Sequence, residues 1–194
     1  ATFGAPVSST PLRGQLMPVV DQSNGNGLAC TPLDATNTRA VRGNIALVDR
    51  GSCDFVVKAR NVQAAGAIGM VLADVVPGEV AGLPGSDPAI TIPSVRITLA
   101  DGQTLKASLQ QRSRTRSGVV AQLASDGTRL AGADAQRRIL MYTPSVNSPG
   151  SSVSHYPTEA RPNQLMEPSI NDDLPHVVTP PRDLTYPLLQ DIGW

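Results

Sequence analysis

Apolar residues between positions 43 and 123 alternate between two spacings, and the changes of spacing mark out the elements. Residues 43–50 (GNIALVDR) hold a short continuous apolar run stopped by Gly51, the pattern of a buried strand. The period then changes. Phe55, Val56, Ala59, Val62 and Ala65 recur at helical spacing, with Ser52 or Asp54 available as N-cap and Gly66 placed to end the helix. Ala64 and Ala65 are small enough to let that helix sit close on a sheet. Residues 67–74 (AIGMVLAD) return to a continuous apolar run, as a strand covered on both faces does. Strand, helix and strand with such short joints predict a βαβ unit, whose default is a right-handed parallel crossover.

The flanks are weaker in pattern. Residues 12–20 (LRGQLMPVV) predict a strand, and Pro18 places it at a sheet edge. Residues 21–27 (DQSNGNG) are a polar turn, and residues 76–90 a Gly/Pro/Ala loop without an apolar period. Residues 93–98 (PSVRIT) predict the next strand. Thr98 caps a helix running to about Leu109, with Asp101 in the capping-box position. Residues 117–123 (SGVVAQL) predict the closing strand. Beyond them, residues 143–182 are proline-rich and irregular, and residues 184–194 read as a short helix ended by Gly193 with Trp194 docked.

Composition sharpens this picture. Hydrophobic residues make up 40% of the 194 but aromatics only 3%, so the core is aliphatic. The formal net charge is zero, which argues against a nucleic-acid or anionic-membrane surface. Arg112, Arg114 and Arg116 read as a solvated loop. No stretch approaches the ~20 apolar residues of a membrane span. A start at Ala1, with neither methionine nor leader pattern, reads as a processed or engineered boundary. Cys30 and Cys53 form no CxxC motif, which leaves one disulfide or two buried thiols.

Few catalytic patterns survive. No Gly-x-Ser-x-Gly elbow exists, and Ser151, Ser152 and Ser154 lie too near His155 in sequence to argue a triad. Asp21, Ser23, Asn24 and Asn26 echo a calcium loop but lack its bidentate glutamate. The glycine-rich stretch 78–85 lacks the lysine and helix start of a phosphate loop.

Three segments resemble a known family, the protease-associated (PA) domain. Residues 43–74 are similar to its core: strand, Arg-Gly-x-Cys corner, helix, Ala-Ala-Gly-Ala, strand. Residues 92–109 (IPSVRITLADGQTLKASL) resemble its following strand and helix, and residues 29–34 (ACTPLD) its Cys-x-Pro-Leu segment. The resemblance covers about residues 1–130. It implies an α/β domain of the swivelling β/β/α type, a sheet or barrel flanked by two helices, followed here by an irregular Pro-rich C-terminal extension. It also implies that Cys30 pairs with Cys53. Such a bridge closes a loop of about 24 residues, is worth roughly 3 kcal/mol by loop entropy, and persists in an oxidising compartment. The implied location is secreted or extracellular. PA domains modulate protein or peptide access to an attached protease, so the implied partners are a polypeptide substrate or that protease domain. The candidate contact residues are Val76, Pro77, Gly78, Glu79, Leu83 and Pro84 in the long loop.

Residues 131–194 carry a second resemblance. GSSVSHYPTEARPNQLMEPSI (150–170) and DLTYPLLQDIGW (183–194) are similar to the end of the catalytic domain of leishmanolysin-like (metzincin) zinc metalloproteases. There His155 matches the third zinc ligand and Met166 the Met-turn methionine. The chain departs from that family at a decisive point. It holds two histidines, His155 and His176, and no His-Glu-x-x-His, the helix that supplies two ligands and the general base. His176, between Pro175 and Val177, reads as an ordinary loop residue. The resulting expectation is a non-catalytic module without its own cofactor, zinc belonging to an intact parent. The alternatives are the C-terminal part of an active zinc endopeptidase whose His-Glu-x-x-His helix lies upstream, and a free-standing secreted binder of glycan or peptide.

Overall fold

The computed structural model describes residues 1–78, 80, 82–125, 132–134, 136, 138–160, 163–169, 180 and 183–194. The chain divides into two compact units, Ala1–Ser125 and Asp126–Trp194.

In the first unit the elements run β1 (Leu12–Pro18), α1 (Ala35–Val41), β2 (Ile45–Asp49), α2 (Phe55–Ala64), β3 (Gly69–Ala73), β4 (Ser94–Ile97), α3 (Leu99–Ser108) and β5 (Val120–Leu123). They build one five-stranded sheet in the order β4-β3-β2-β1-β5. The first four of these strands are parallel, and β5 runs antiparallel to β1. Alternate residues of each strand point to opposite faces, and both faces are covered. Met17, Ala46, Val48, Met70 and Leu72 pack with Ala40 and Val41 of α1, Ala59 and Val62 of α2, and Ala65 at the C-cap of α2. Leu16, Ile45, Leu47, Val71 and Ala73 pack on the other face with Leu105 and Leu109. Double coverage is why β2 and β3, buried along their whole length, read as unbroken apolar runs.

Two local choices seat α3. Thr98 Oγ1 accepts the Asp101 N–H at 3.0 Å and donates to the Asp101 carboxylate at 2.7 Å. The aspartate thus takes the cap hydroxyl rather than the cap N–H that a longer glutamate would reach. Gly102, a costly residue in a helix interior, is there for contact. A Cβ on it would come within 2.7 Å of the Ala73 Cβ, so only glycine lets α3 lie this close to β3.

The fold differs from the sequence reading in four places. β1 is an interior strand, not an edge. Pro18 is tolerated because Val19 N–H faces β2 (to Leu47 O, 2.9 Å) and Leu16 N–H faces β5 (to Val119 O, 2.9 Å). The missing N–H of Pro18 therefore points to the β5 side, where strand pairing has stopped at Gln15–Val120. The two expected flanking helices are joined by α1, capped by Asp34 Oδ1 accepting the Asn37 N–H at 2.7 Å. Ala64 is exposed, and Ala65 alone of that pair faces the sheet. In the second unit α4 (Thr185–Asp191) forms as expected, but Trp194 is 88% exposed rather than docked.

Candidate functional site

Three parallel strands deliver their carboxyl ends to one side of the first unit, the side on which open α/β sheets carry ligands. β2 ends at Asp49 and turns a sharp corner through Arg50, Gly51 (φ 129°) and Ser52 (φ 61°) into α2. Cys53, at this corner, is disulfide-bonded to Cys30. Lys58, one turn further along α2, is fully buried. Its Nζ donates to Leu28 O at 2.6 Å and lies 3.6 Å from the Cys30 Sγ. Burial lowers the Lys58 pKa, and the charges of Asp21 and Asp49 act against that. Asp49, itself buried, receives Lys106 Nζ at 2.7 Å and the Gly27 N–H at 3.0 Å.

Asp74 follows β3 and holds the neighbouring strand ends together. Its Oδ1 accepts Arg50 Nη1 and the Val75 N–H, both at 3.0 Å, and its Oδ2 accepts Arg96 Nε at 2.9 Å together with Arg96 Nη2. Burial pushes the Asp74 carboxyl up, but the hydrogen bonds from Arg96, Arg50 and Val75 outweigh it and hold the group below the ordinary carboxylate value. The Arg96 guanidinium also lies over the Phe55 ring, 5.9 Å from its centroid. Aspartate, two arginines and a ring thus make a stiff base under the loop that follows.

On this base Val75 and Val76 are 46% and 49% exposed, and Pro77 and Gly78 are exposed beside them. Glu79 lies outside the described residues. Leu83 must be withdrawn from the contact set, because it is 1% exposed and belongs to the core. It anchors the loop instead: Thr2 N–H donates to Leu83 O at 3.0 Å and Thr2 Oγ1 to Gly85 O at 2.6 Å. Pro84, Gly85 and Ser86 then face Cys53, Asp54, Phe55 and Val56 across an open cleft of about 440 Å³. The turn at Asp21 uses its polar groups internally. Its carboxylate accepts the Leu28 and Ala29 N–H groups, both at 2.8 Å.

In the second unit His155 is half-buried, with Ser154 Oγ 2.9 Å from its Nδ1. The next residue, Tyr156, donates its N–H to Met166 O at 2.7 Å, so the His155 segment and the Met166 turn lie side by side. The Tyr156 hydroxyl donates to Leu184 O at 2.9 Å; burial, then the charges of Asp183 and Asp191, push its pKa up to about 12. His176 lies outside the described residues. Among the described residues no group of three or more His, Cys, Asp or Glu side chains is arranged to hold a metal. A zinc site takes at least three protein ligands, so His155 does not make one with the other described residues.

The sequence reading found the cysteines and the loop but missed Asp49, Lys58, Asp74, Arg96 and Lys106. The available signal was an aspartate closing each of two apolar runs (VD at 48–49, AD at 73–74), a charge that must find a partner when buried.

Sheet order, corner and disulfide together define an α/β module of the PA type. Residues 13–105 match the PA-domain family model, and the chain carries a PA domain. The chain is 32% identical over 121 residues to the minor extracellular protease Vpr of Bacillus subtilis (strain 168), a match covering 60% of this chain and 14% of that protein. It is 50% identical over 56 residues to the ER degradation-enhancing alpha-mannosidase-like protein 3 of Homo sapiens, covering 29% of this chain and 6% of that protein. Among solved structures, the zinc aminopeptidase BSAP from Bacillus subtilis overlaps 61% of this chain and 28% of its own, at 23% identity and a TM-score of 0.43. The chain therefore spans about one seventh or less of the length of these two curated relatives.

Proposed function

We propose that the first unit is a non-catalytic protease-associated module of a secreted protein, taking polypeptide on the face where residues 50–56 meet residues 75–78 and 82–86. The observation that carries this is the exposed Val75–Val76–Pro77 segment held above the Arg50–Asp74–Arg96 clamp. An apolar rim on a charged base offers burial for side chains together with backbone donors and the partly exposed Arg50 guanidinium for a passing main chain. The disulfide supports the secreted location. The polypeptide is a protein or peptide substrate, or the attached protease domain. The test is an amide-shift map of the whole chain titrated with a library of amidated octapeptides. Saturable shifts confined to residues 50–56 and 75–86 are expected. Shifts centred on α3, or none at all, contradict the reading.

Residues 131–194 belong, in the same proposal, to the end of a leishmanolysin-like catalytic domain. His155 is then the third zinc ligand and Met166 the Met-turn residue of an intact parent. The Tyr156 N–H to Met166 O bond supports this, since it sets the candidate ligand beside the candidate turn. The gene upstream of Ala1 decides it. A His-Glu-x-x-His there supports an active zinc endopeptidase as parent, and its absence over the length of a catalytic domain removes zinc from the account.

A further inference from the structure

The bridge at the corner is asymmetric in its surroundings, and the asymmetry assigns different chemical fates to its two sulfurs. Cys30 Sγ has the Lys58 ammonium 3.6 Å away, on a side chain that is fully buried and held by Leu28 O. Asp21 and Asp49 are the carboxylates that act on Lys58, and Asp49 is shared with Lys106. Cys53 has a weaker claim on negative charge. The N-terminus of α2 offers it a partial charge of about +0.5, and the Asp54 carboxylate is its immediate neighbour in sequence. Access runs the other way, because Cys53 lines the open cleft facing Pro84, Gly85 and Ser86.

We propose that Cys53 is a thiol-addition site, at which a low-molecular-weight thiol forms a mixed disulfide while Cys30 departs as a thiolate beside Lys58. The incoming thiol loses its proton to solvent, and its thiolate attacks Cys53 Sγ. One sulfur–sulfur bond forms to Cys53 as the Cys30–Cys53 bond breaks, and the electron pair of the broken bond stays on Cys30 Sγ. The exchange consumes no oxidant or reductant beyond the thiol. Lys58 keeps its proton throughout and acts through charge. The better-stabilised thiolate is the better leaving group, so attack on Cys53 is the favoured direction. Addition cuts the covalent tie between Cys30 and the corner, beside the face assigned to polypeptide, while hydrogen bonds from Asp21, Lys58 and Asn61 keep Leu28 and Ala29 in place, so an extracellular thiol can act on that face without unfolding the sheet.

The test incubates the folded chain with glutathione at pH 8, quenches with acid, alkylates free thiols and maps both by mass spectrometry. The expected result is glutathione on Cys53 and alkylation on Cys30, in roughly tenfold excess over the reverse pattern. Lys58→Met brings the two patterns toward parity. A second measurement does not depend on that variant folding: in Cys53→Ser, the Cys30 thiol titrates below the usual value of about 8.5, followed by its alkylation rate against pH. Glutathione mainly on Cys30, equal addition to both sulfurs, no adduct under native conditions, or a Cys30 thiol titrating at or above the usual value each overturn the proposal.

Discussion

The two units are held by different forces. In Ala1–Ser125, aliphatic side chains from α1, α2 and α3 close both faces of one sheet. In Asp126–Trp194, the described interior is largely polar. Gln164 N–H donates to Glu167 Oε1 at 2.7 Å, Leu184 N–H to Gln164 Oε1 at 2.8 Å and Leu165 N–H to Asp183 Oδ2 at 2.6 Å, with Tyr156 packed among them. Aliphatic packing spreads its stabilisation over many contacts, each small. A polar interior concentrates it in single hydrogen bonds that are costly to leave unmade. The first unit therefore rests on many interchangeable contacts, whereas the second unit depends on particular side chains.

Substitutions sharpen that contrast. Leu72→Ala empties a site at the centre of the sheet and is expected to cost about 4 kcal/mol, read as the midpoint shift of the first unit in urea. Breaking the Cys30–Cys53 bridge, by reduction or by the paired alanine variant, costs about 3 kcal/mol and lowers the melting temperature; an unchanged midpoint contradicts the stabilising role given to the bridge. Asp74→Asn weakens the clamp by about 2 kcal/mol at neutral pH. Its sign with pH is fixed. The Asp74 carboxyl is held below its unfolded value, so its contribution is complete above about pH 4 and drains away as pH falls through the folded value. The stability gap between wild type and Asp74→Asn thus narrows in acid, and a gap that widens refutes the clamp. Tyr156→Phe removes the bond to Leu184 O and costs about 1 kcal/mol, read by amide exchange at Leu184 and Thr185.

The legible part of the fold was the part whose partners lie close along the chain. The run 45–73 could be read because double burial writes an apolar residue at nearly every strand position and helical spacing between the strands. Thr98 could be read because a cap and its target are three residues apart. α1 was hidden: ATNTRAV offers only Ala40 and Val41 to the core as apolar side chains. Its third buried residue, Asn37, pairs its amide with both the N–H and the C=O of Val20, seventeen residues away. The site was legible in outline only. Gly51 and Cys53 announced the corner, but Asp74 finds Arg50 and Arg96 across 24 and 22 residues, and nothing local names those partners. Leu83 misled for the opposite reason. It sits in a segment without apolar period, yet the segment bends back to bury it.

In the function proposed above, the first unit works by contact and not by catalysis. The most direct measurement is casein cleavage by the purified chain with zinc supplied, with and without o-phenanthroline, alongside the zinc retained after dialysis. No cleavage under either condition and no stoichiometric zinc is the predicted result. Chelator-sensitive cleavage with one zinc per chain contradicts it.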